Sequence, residues 1–287
     1  MKNFQYFKPK SLKEASEILS KHKGKAHILN GGTDLIIRMR DRIIEPEVVV
    51  DIKEIDELNS IHLNKHGELI IGACVNLNDI AHNKIVDENY DFLSKAAHMV
   101  GSSQVRNRAT MVGNICNASP LADTATPLLA LDAKVLVYGA EGKKEISIHD
   151  FFIWVRKTCL KIGEIVIGIK IPSYSNDILG DFQKISRRKM VDLSTVCGTV
   201  LKNGDDIRIA LGAVSPTPIR LRKTEGFIKG KELTEEVIKK ALEVAVSEIS
   251  PIDDIRASKE YRINMTKVII KRGLKKIRQK NLALAEG

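Results

Sequence analysis

The sequence predicts an α+β protein in two parts, a mixed α/β unit over residues 1–175 and a smaller α+β unit over 176–287. Three observations carry this expectation. Short helical and extended segments alternate through the first half. A polar stretch from Ser173 to Gly180, containing Asn176 and Asp177, then interrupts the pattern. Three extended segments and two long helical ones follow it.

Each element has a local cause. Ser11-Leu12-Lys13-Glu14 reads as a capping box, after which Leu12, Ala15, Ile18 and Leu19 recur at helical spacing up to Gly24. Ala26–Leu29, Val48–Ile52 and Leu69–Ala73 are short apolar runs that predict strands, the last followed by a helix over Leu77–Ala81. Helices are expected at Tyr90–Val100 and Thr126–Leu131, and a strand at Lys134–Tyr138. Ile165, Ile167, Ile169 and Ile171 alternate, which predicts a strand stopped by Pro172. In the second part, strands are expected at Phe182–Ser186, Val196–Leu201 and Ile207–Val214, with Asn203-Gly204 as a hairpin signal. Thr234–Ile249 and Ser258–Lys280 complete the chain as helices.

The 287 residues are 43% apolar and 29% charged, a soluble globular composition. No apolar run reaches the ~20 residues of a membrane span. The opening segment lacks an apolar h-region, so no signal peptide and a cytoplasmic location are expected. Cys74, Cys116, Cys159 and Cys197 stand far apart without a C-x-x-C pair, and read as small buried apolar residues. The seven histidines form no metal-spaced cluster, so no metal is expected on this chain. The formal charge is +10, with basic residues concentrated between Lys267 and Lys280. No aromatic side chains interleave them, so a solvated helix face is preferred to nucleic-acid binding.

Two loops carry the chemistry. In Leu29-Asn30-Gly31-Gly32-Thr33-Asp34-Leu35, paired glycines follow an apolar strand. Glycines let backbone approach a ligand closely, and successive free N–H groups form a nest for phosphate oxygens. Gly-Gly also makes plain turns, so this segment alone is a weak signal. Asp34 is placed to cap the next turn. The second segment, Gln104 to Asp123, is long, poor in large apolar residues and dense in hydrogen-bonding side chains. Ordered loops of that kind usually carry function. Thr110 and Asn114 are candidates for phosphate or ribose, and Asp123 for a ribose hydroxyl. Neither segment is G-x-G-x-x-G, so a Rossmann site is not indicated.

Together the loops resemble the FAD-binding fold of the molybdopterin dehydrogenase flavoproteins, the medium subunits of the xanthine dehydrogenase and carbon monoxide dehydrogenase family. The family's first loop reads roughly A-G-G-T-D-L, and its second V-R-N-x-A/G-T-I-G-G-N-I followed by S-P-x-A-D. This chain has Asn30–Leu35, then Val105-Arg106-Asn107-Arg108-Ala109-Thr110-Met111-Val112-Gly113-Asn114-Ile115 and Ser119-Pro120-Leu121-Ala122-Asp123. Phe182–Arg188, Leu211–Arg220 and Arg256–Arg262 resemble later segments of the family. The last two of these, with Gly113–Asn117, look closest to bacterial xanthine dehydrogenase flavin subunits.

The resemblance implies a PCMH-type FAD-binding fold over 1–175, of two α/β subdomains at about 1–55 and 56–175, then a small C-terminal α+β domain of three antiparallel strands with helices. It implies FAD on this chain, [2Fe-2S] clusters and molybdopterin on partner subunits, and NAD⁺ as acceptor. Residues 30–34 and 110–114 would embrace the pyrophosphate and ribityl chain, with Leu29 and Leu35 also among the cofactor-binding residues. Asp123 would lie near the nucleotide, Val166 beside the adenine or flavin, and Val100 near the cofactor, although a helix-end core residue explains Val100 as well. Lys184 would sit near the isoalloxazine or its phosphates, or else be a surface strand lysine. Val112 departs from the pattern, because the family has glycine there and a β-branched residue does not easily take positive φ. Either that position has ordinary dihedrals or the loop is shifted. The alternatives are a self-contained flavin oxidase of the vanillyl-alcohol type and a basic nucleic-acid module.

Overall fold

The computed structural model describes residues 1–174, 178–189 and 191–285, with side chains through 279 in the last helix. The first layer is a three-stranded parallel sheet in the order Gln5–Phe7, Val48–Asp51, Ala26–Leu29. Its central strand is fully buried, as expected of a β-branched run covered on both faces. The helix Leu12–Lys21 packs against this layer, with Ser11 as its N-cap accepting from the Glu14 N–H at 3.2 Å. Glu14 reaches back to the N–H of Lys10 at 2.9 Å, one residue before the usual partner in a capping box.

A five-stranded antiparallel sheet follows in the order Ile61–Leu63, Leu69–Gly72, Ile165–Ile171, Lys134–Gly139, Gly142–Ser147. The alternation expected along Ile165–Ile171 is broken by a register shift between Val166 and Gly168 against the neighbouring strand. Such a bulge redirects side chains locally. The helix Leu77–Ala81 is as predicted. The helix expected from Tyr90 begins earlier and spans Lys84–His98, with Asn83 capping Val86. Tyr90 has non-helical dihedrals, and only the part beyond this kink was visible as a periodic pattern.

The C-terminal part is a four-stranded antiparallel sheet in the order Leu179–Ile185, Val196–Asn203, Asp206–Gly212, Ile219–Arg220. Three strands were expected. The fourth has only two residues, too few to leave a periodic signal. The hairpin pairs Asn203 with Asp206, so its two-residue turn is Gly204-Asp205, one position later than the Asn-Gly signal suggested. The helices Glu235–Ser247 and Lys259–Ala285 cover this part, and the second packs on strand Val196–Asn203. Of the segment expected to separate the two parts, Ser175, Asn176 and Asp177 lie outside the described residues.

Phe182, Cys197, Leu201 and Ala210 of the C-terminal sheet belong to the same buried apolar cluster as the N-terminal core. A second cluster, including Val200, Ile209, Ile269 and Leu274, fills the space within the C-terminal part. Polar bonds cross the same seam: Thr126 and Thr199 hydroxyls meet at 3.0 Å, and the Ala213 N–H donates to Pro120 O at 2.7 Å. The two parts therefore fix each other's position, and Pro120 at the end of the second loop is held at the seam. No helix among the described residues is long and apolar enough to cross a membrane.

Candidate functional site

The two predicted loops meet. Strand Ala26–Leu29 delivers the first to the edge of the parallel sheet, and the helix Met111–Cys116 begins at the second. Asn30 joins them: its Nδ2 donates to Ala73 O at 2.6 Å and to Thr110 Oγ1 at 3.0 Å. Thr110 Oγ1 in turn accepts from the Gly113 N–H at 2.9 Å as the N-cap of that helix, an interaction typically worth about 1 kcal/mol. Both acceptor sites of this hydroxyl are thus used within the protein, while its O–H donates to no acceptor among the described residues. Asn114 Oδ1 accepts from Thr124 Oγ1 at 2.7 Å, and its Nδ2 donates to no acceptor among the described residues.

The paired glycines serve different ends. A Cβ on Gly31 would stand 2.1 Å from Arg108 O and 2.9 Å from Ala109 Cα, so only glycine lets the backbones of the two loops touch. Gly32 has φ +75°, the left-handed turn that carries the chain into the helix Leu35–Arg40. Val112 and Gly113 both lie in helix Met111–Cys116, and neither has positive φ. The valine therefore sits in ordinary helical geometry without any shift of the loop.

Between the loops lies a cleft of about 290 Å³. Residues 30–35 form one wall, and Thr110, Val112, Gly113 and Asn114 another, with Val100 and Val166 completing the predicted set. Four predicted members, Leu29, Met111, Asp123 and Lys184, are absent from the lining. Leu29 faces away because side chains alternate along a strand, and its neighbour Ile28 takes the cleft side. Met111 is fully buried in the core on the opposite face of its helix turn from the cleft. Sequence reasoning missed Arg38, Val105, Cys116, Asn117 and Leu160, which also line the cleft. It also missed the clasp at its mouth. Arg156, in the turn of the hairpin Phe152–Thr158, reaches both Asp34 oxygens at 3.2 and 3.3 Å and also bonds Asn117 Oδ1. Asp34 stands at the cap position of helix Leu35–Arg40 but makes no capping bond; its carboxylate serves the clasp.

A second recess of about 250 Å³ adjoins the first. Val100 lines the first cleft, while Met99 and Gly101 on either side of it line the second. Lys184 lines the second recess too, and its side chain is only 4% exposed, so it is not a surface strand lysine. Its Nζ donates to Asp123 Oδ2 at 2.7 Å and to Met99 O at 3.0 Å. Asp123 does not line the first cleft. It is 5% exposed and also accepts from the Ser194 hydroxyl, and Lys184 links it to the second recess. Burial pushes its carboxyl up from the ordinary value against the pull of Lys184 and Ser194.

The residues fit a dinucleotide with a pyrophosphate. The N–H groups of residues 31 to 35 donate to no acceptor among the described residues. Asn30 Oδ1 is buried without a partner. Successive unpaired amides beside a cleft are the usual means of holding phosphate oxygens, and Val100, Val112 and Val166 offer apolar surface for rings. Cys116 faces the cleft as an inert thiol, pushed up to about 12 by burial. Among the described residues no group of His, Cys, Asp and Glu could hold a metal ion.

Comparison with known proteins agrees with this geometry. Residues 2–174 match the family described as the FAD binding domain in molybdopterin dehydrogenase. Residues 181–277 match the CO dehydrogenase flavoprotein C-terminal domain. The chain is 30% identical over 276 residues to the carbon monoxide dehydrogenase medium chain of Hydrogenophaga pseudoflava, covering 94% of this chain and 96% of that one. It is 29% identical over 273 residues to the xanthine dehydrogenase FAD-binding subunit of Escherichia coli O157:H7, covering 93% of each. The fold superposes on a chain of carbon monoxide dehydrogenase from Hydrogenophaga pseudoflava with a TM-score of 0.91 at 30% identity, covering 96% of each chain. For quinoline 2-oxidoreductase from Pseudomonas putida 86 the TM-score is 0.90 at 28% identity, covering 98% of this chain and 99% of that one. With the loops, the cleft and both halves of the chain in agreement, the protein belongs to the FAD-binding flavoprotein family of the molybdopterin dehydrogenases.

Proposed function

We propose that FAD occupies this cleft and extends toward the second recess, and that the chain is the electron-transfer subunit of a molybdenum hydroxylase acting on a purine such as xanthine or hypoxanthine. The observation that carries the reading is the run of unbonded amides at residues 31–35, facing the helix at Thr110 across a cleft in which Arg156 holds Asp34. In this reading the amides hold the pyrophosphate. Val100 and Val166 shield ring surface from water, and Lys184 holds its positive charge at the recess where the flavin end lies. FAD, when bound, supplies the capacity to take electrons singly and release them in pairs. Residues 1–175 act as the carrier and 176–287 as the support that seats Lys184.

The partners in this reading are a subunit with [2Fe-2S] clusters as electron donor and a molybdopterin subunit that hydroxylates the substrate, with NAD⁺ as acceptor. The purine assignment is supported by the Gly113–Asn117 and C-terminal segments and by the similarity to the Escherichia coli subunit. A self-contained oxidase of the vanillyl-alcohol type would need a substrate cap in place of residues 181–277, which match a flavoprotein C-terminal domain instead.

Affinity purification of the chain from its native cell, with metal analysis and a visible spectrum, tests the reading. Molybdenum, iron and acid-releasable FAD should co-purify. The complex should reduce NAD⁺ with xanthine or hypoxanthine faster than with nicotinate, carbon monoxide or an aldehyde. A flavoprotein recovered alone that oxidises its own substrate would sink the assignment, and reduction of ferredoxin or a quinone only would sink the choice of acceptor.

A further inference from the structure

The charged side chains that line the first cleft are Asp34 and Arg38. Asp34 is already committed, because Arg156 reaches both of its oxygens and Asn117 Nδ2 donates to one of them at 3.2 Å. Arg38 stands one helical turn after Asp34, on the same face of helix Leu35–Arg40. Its guanidinium comes no closer to that carboxylate than 3.9 Å and makes no hydrogen bond among the described residues. The side chain is 33% exposed, and its only ion-pair contact among the described residues is this long one to an Asp34 already held by Arg156. A guanidinium offers five N–H donors in a planar fork that suits two phosphate oxygens at once.

A dinucleotide pyrophosphate brings two negative charges. The amides of residues 31–35 supply only partial positive charge, and Asp34 beside them adds a negative one. Arg156 offsets Asp34, which leaves the pyrophosphate without a full counter-charge from the loop itself. Arg38 is the cation in the lining that remains available to it.

We propose that Arg38 is the counter-ion of the FAD pyrophosphate and makes the cleft select a dinucleotide over free riboflavin; this rests on the cleft holding FAD as proposed above. The guanidinium binds phosphate oxygens beside the loop while the clasp keeps Asp34 from competing for it. Arg38 takes no part in electron transfer, and its effect is on which flavin is held and how tightly.

The test uses the full-length apoprotein, titrated with FAD and, separately, with riboflavin, read by quenching of flavin fluorescence at low and high NaCl. Arg38→Gln should raise the FAD Kd about 10- to 100-fold and flatten its salt dependence. Arg38→Lys should recover part of the loss, because it keeps a charge but not the fork. Arg38→Glu should bind FAD more weakly than the glutamine variant. Riboflavin affinity should be the same in all four proteins, and circular dichroism and urea midpoints without flavin should match the parent. The proposal is overturned if Arg38→Gln keeps the parent's FAD affinity and salt slope, if Arg38→Glu binds no worse than Arg38→Gln, or if riboflavin binding falls as far as FAD binding. A parent chain that binds no FAD at all would overturn the reading of the cleft itself.

Discussion

The ammonium of Lys184 and the carboxylate of Asp123 meet at 2.7 Å across the seam between the two parts of the chain, with side chains 4% and 7% exposed. Both side chains are withdrawn from bulk water, and Lys184 borders only the second recess. Removing one member of so enclosed a pair costs about 3–5 kcal/mol, whereas replacing both with apolar or neutral groups costs much less. Lys184→Met should therefore lower the unfolding free energy of the apoprotein by about that amount. Asp123→Asn combined with Lys184→Met should lose less than the two single changes added together. Urea unfolding of the four proteins measures the coupling, and strict additivity would refute it.

Gly31 and Gly32 should respond differently to alanine. At Gly31 the added methyl meets the Arg108 carbonyl and the Ala109 Cα, both backbone, so the loops must part. At Gly32 it meets the end of the Leu29 side chain at 2.9 Å, and the main cost is the left-handed φ. Gly32→Ala should cost about 1 kcal/mol. Gly31→Ala should cost about 1–3 kcal/mol through crowding and should weaken FAD binding more than tenfold. Thermal unfolding and FAD titration check the order, and equal losses at both positions would contradict the loop-to-loop contact.

These contrasts mark how far the residues could be read in advance. Local signals were legible because their causes are local. The Leu77–Ala81 helix and the strands around Val48 and Leu69 carry their own caps and apolar runs, and the glycine loops carry their own turn chemistry. The Lys184–Asp123 pair was not legible as a pair, since 61 positions separate its members and only the packed seam brings them together. Arg156 gave no signal at all: it is a non-glycine residue at φ +60° in a short hairpin, and its target Asp34 looked like a helix cap. The inward face of Ile28 in place of Leu29 depended on strand register, which the sequence of one strand does not reveal.

Asn30 stands where the family pattern has alanine, and its carboxamide ties Ala73 O to Thr110 Oγ1. Asn30→Ala should release both bonds. It leaves Thr110 able to cap Gly113, so the helix persists while the two loops separate more easily. The expected loss is about 1–2 kcal/mol of stability, from the buried carbonyl left without its donor. Hydrogen exchange of the 110–114 amides should quicken more than that of the core strands, and unchanged exchange would exclude the bridging role.

Asp51 ends the strand that supports the first loop, and gives a pH dependence with a defined sign. Burial opposes its charge, but hydrogen bonds from Lys53 and Tyr6 outweigh this and hold its carboxyl below the ordinary value. The same contact raises the Tyr6 hydroxyl to about 12. A carboxyl depressed by folding adds stability that is complete above its unfolded pKa and is lost as pH falls through its folded pKa. The parent should thus be more stable than Asp51→Asn at neutral pH, and the gap should close below about pH 4. Urea midpoints of both proteins from pH 7 to pH 3 give the answer, and a gap that widened on acidification would reverse the sign.

The exposed bases beside the second recess bear on the acceptor. Lys189 lines the recess, and Arg188 approaches Asp192 only to 3.6 Å, so neither charge is neutralised by a tight partner. With Arg187 they place positive potential at the entrance. Attraction of this kind acts before contact, raises association rates tenfold or more at low ionic strength, and fades as salt shortens its range to about 10 Å or less. If NAD⁺ is the acceptor, as proposed, it would approach with its own pyrophosphate, so the effect should be one on capture and not on the transfer itself. Replacing Arg187, Arg188 and Lys189 with glutamine should lower the second-order rate of reoxidation by NAD⁺ several-fold in dilute buffer, with parent and variant converging at high salt. Stopped-flow reoxidation of the reduced complex separates the two steps, because the limiting rate at saturating NAD⁺ should stay the same. A fall in that limiting rate at all salt concentrations would mean that the bases act on the bound flavin and not on the incoming acceptor.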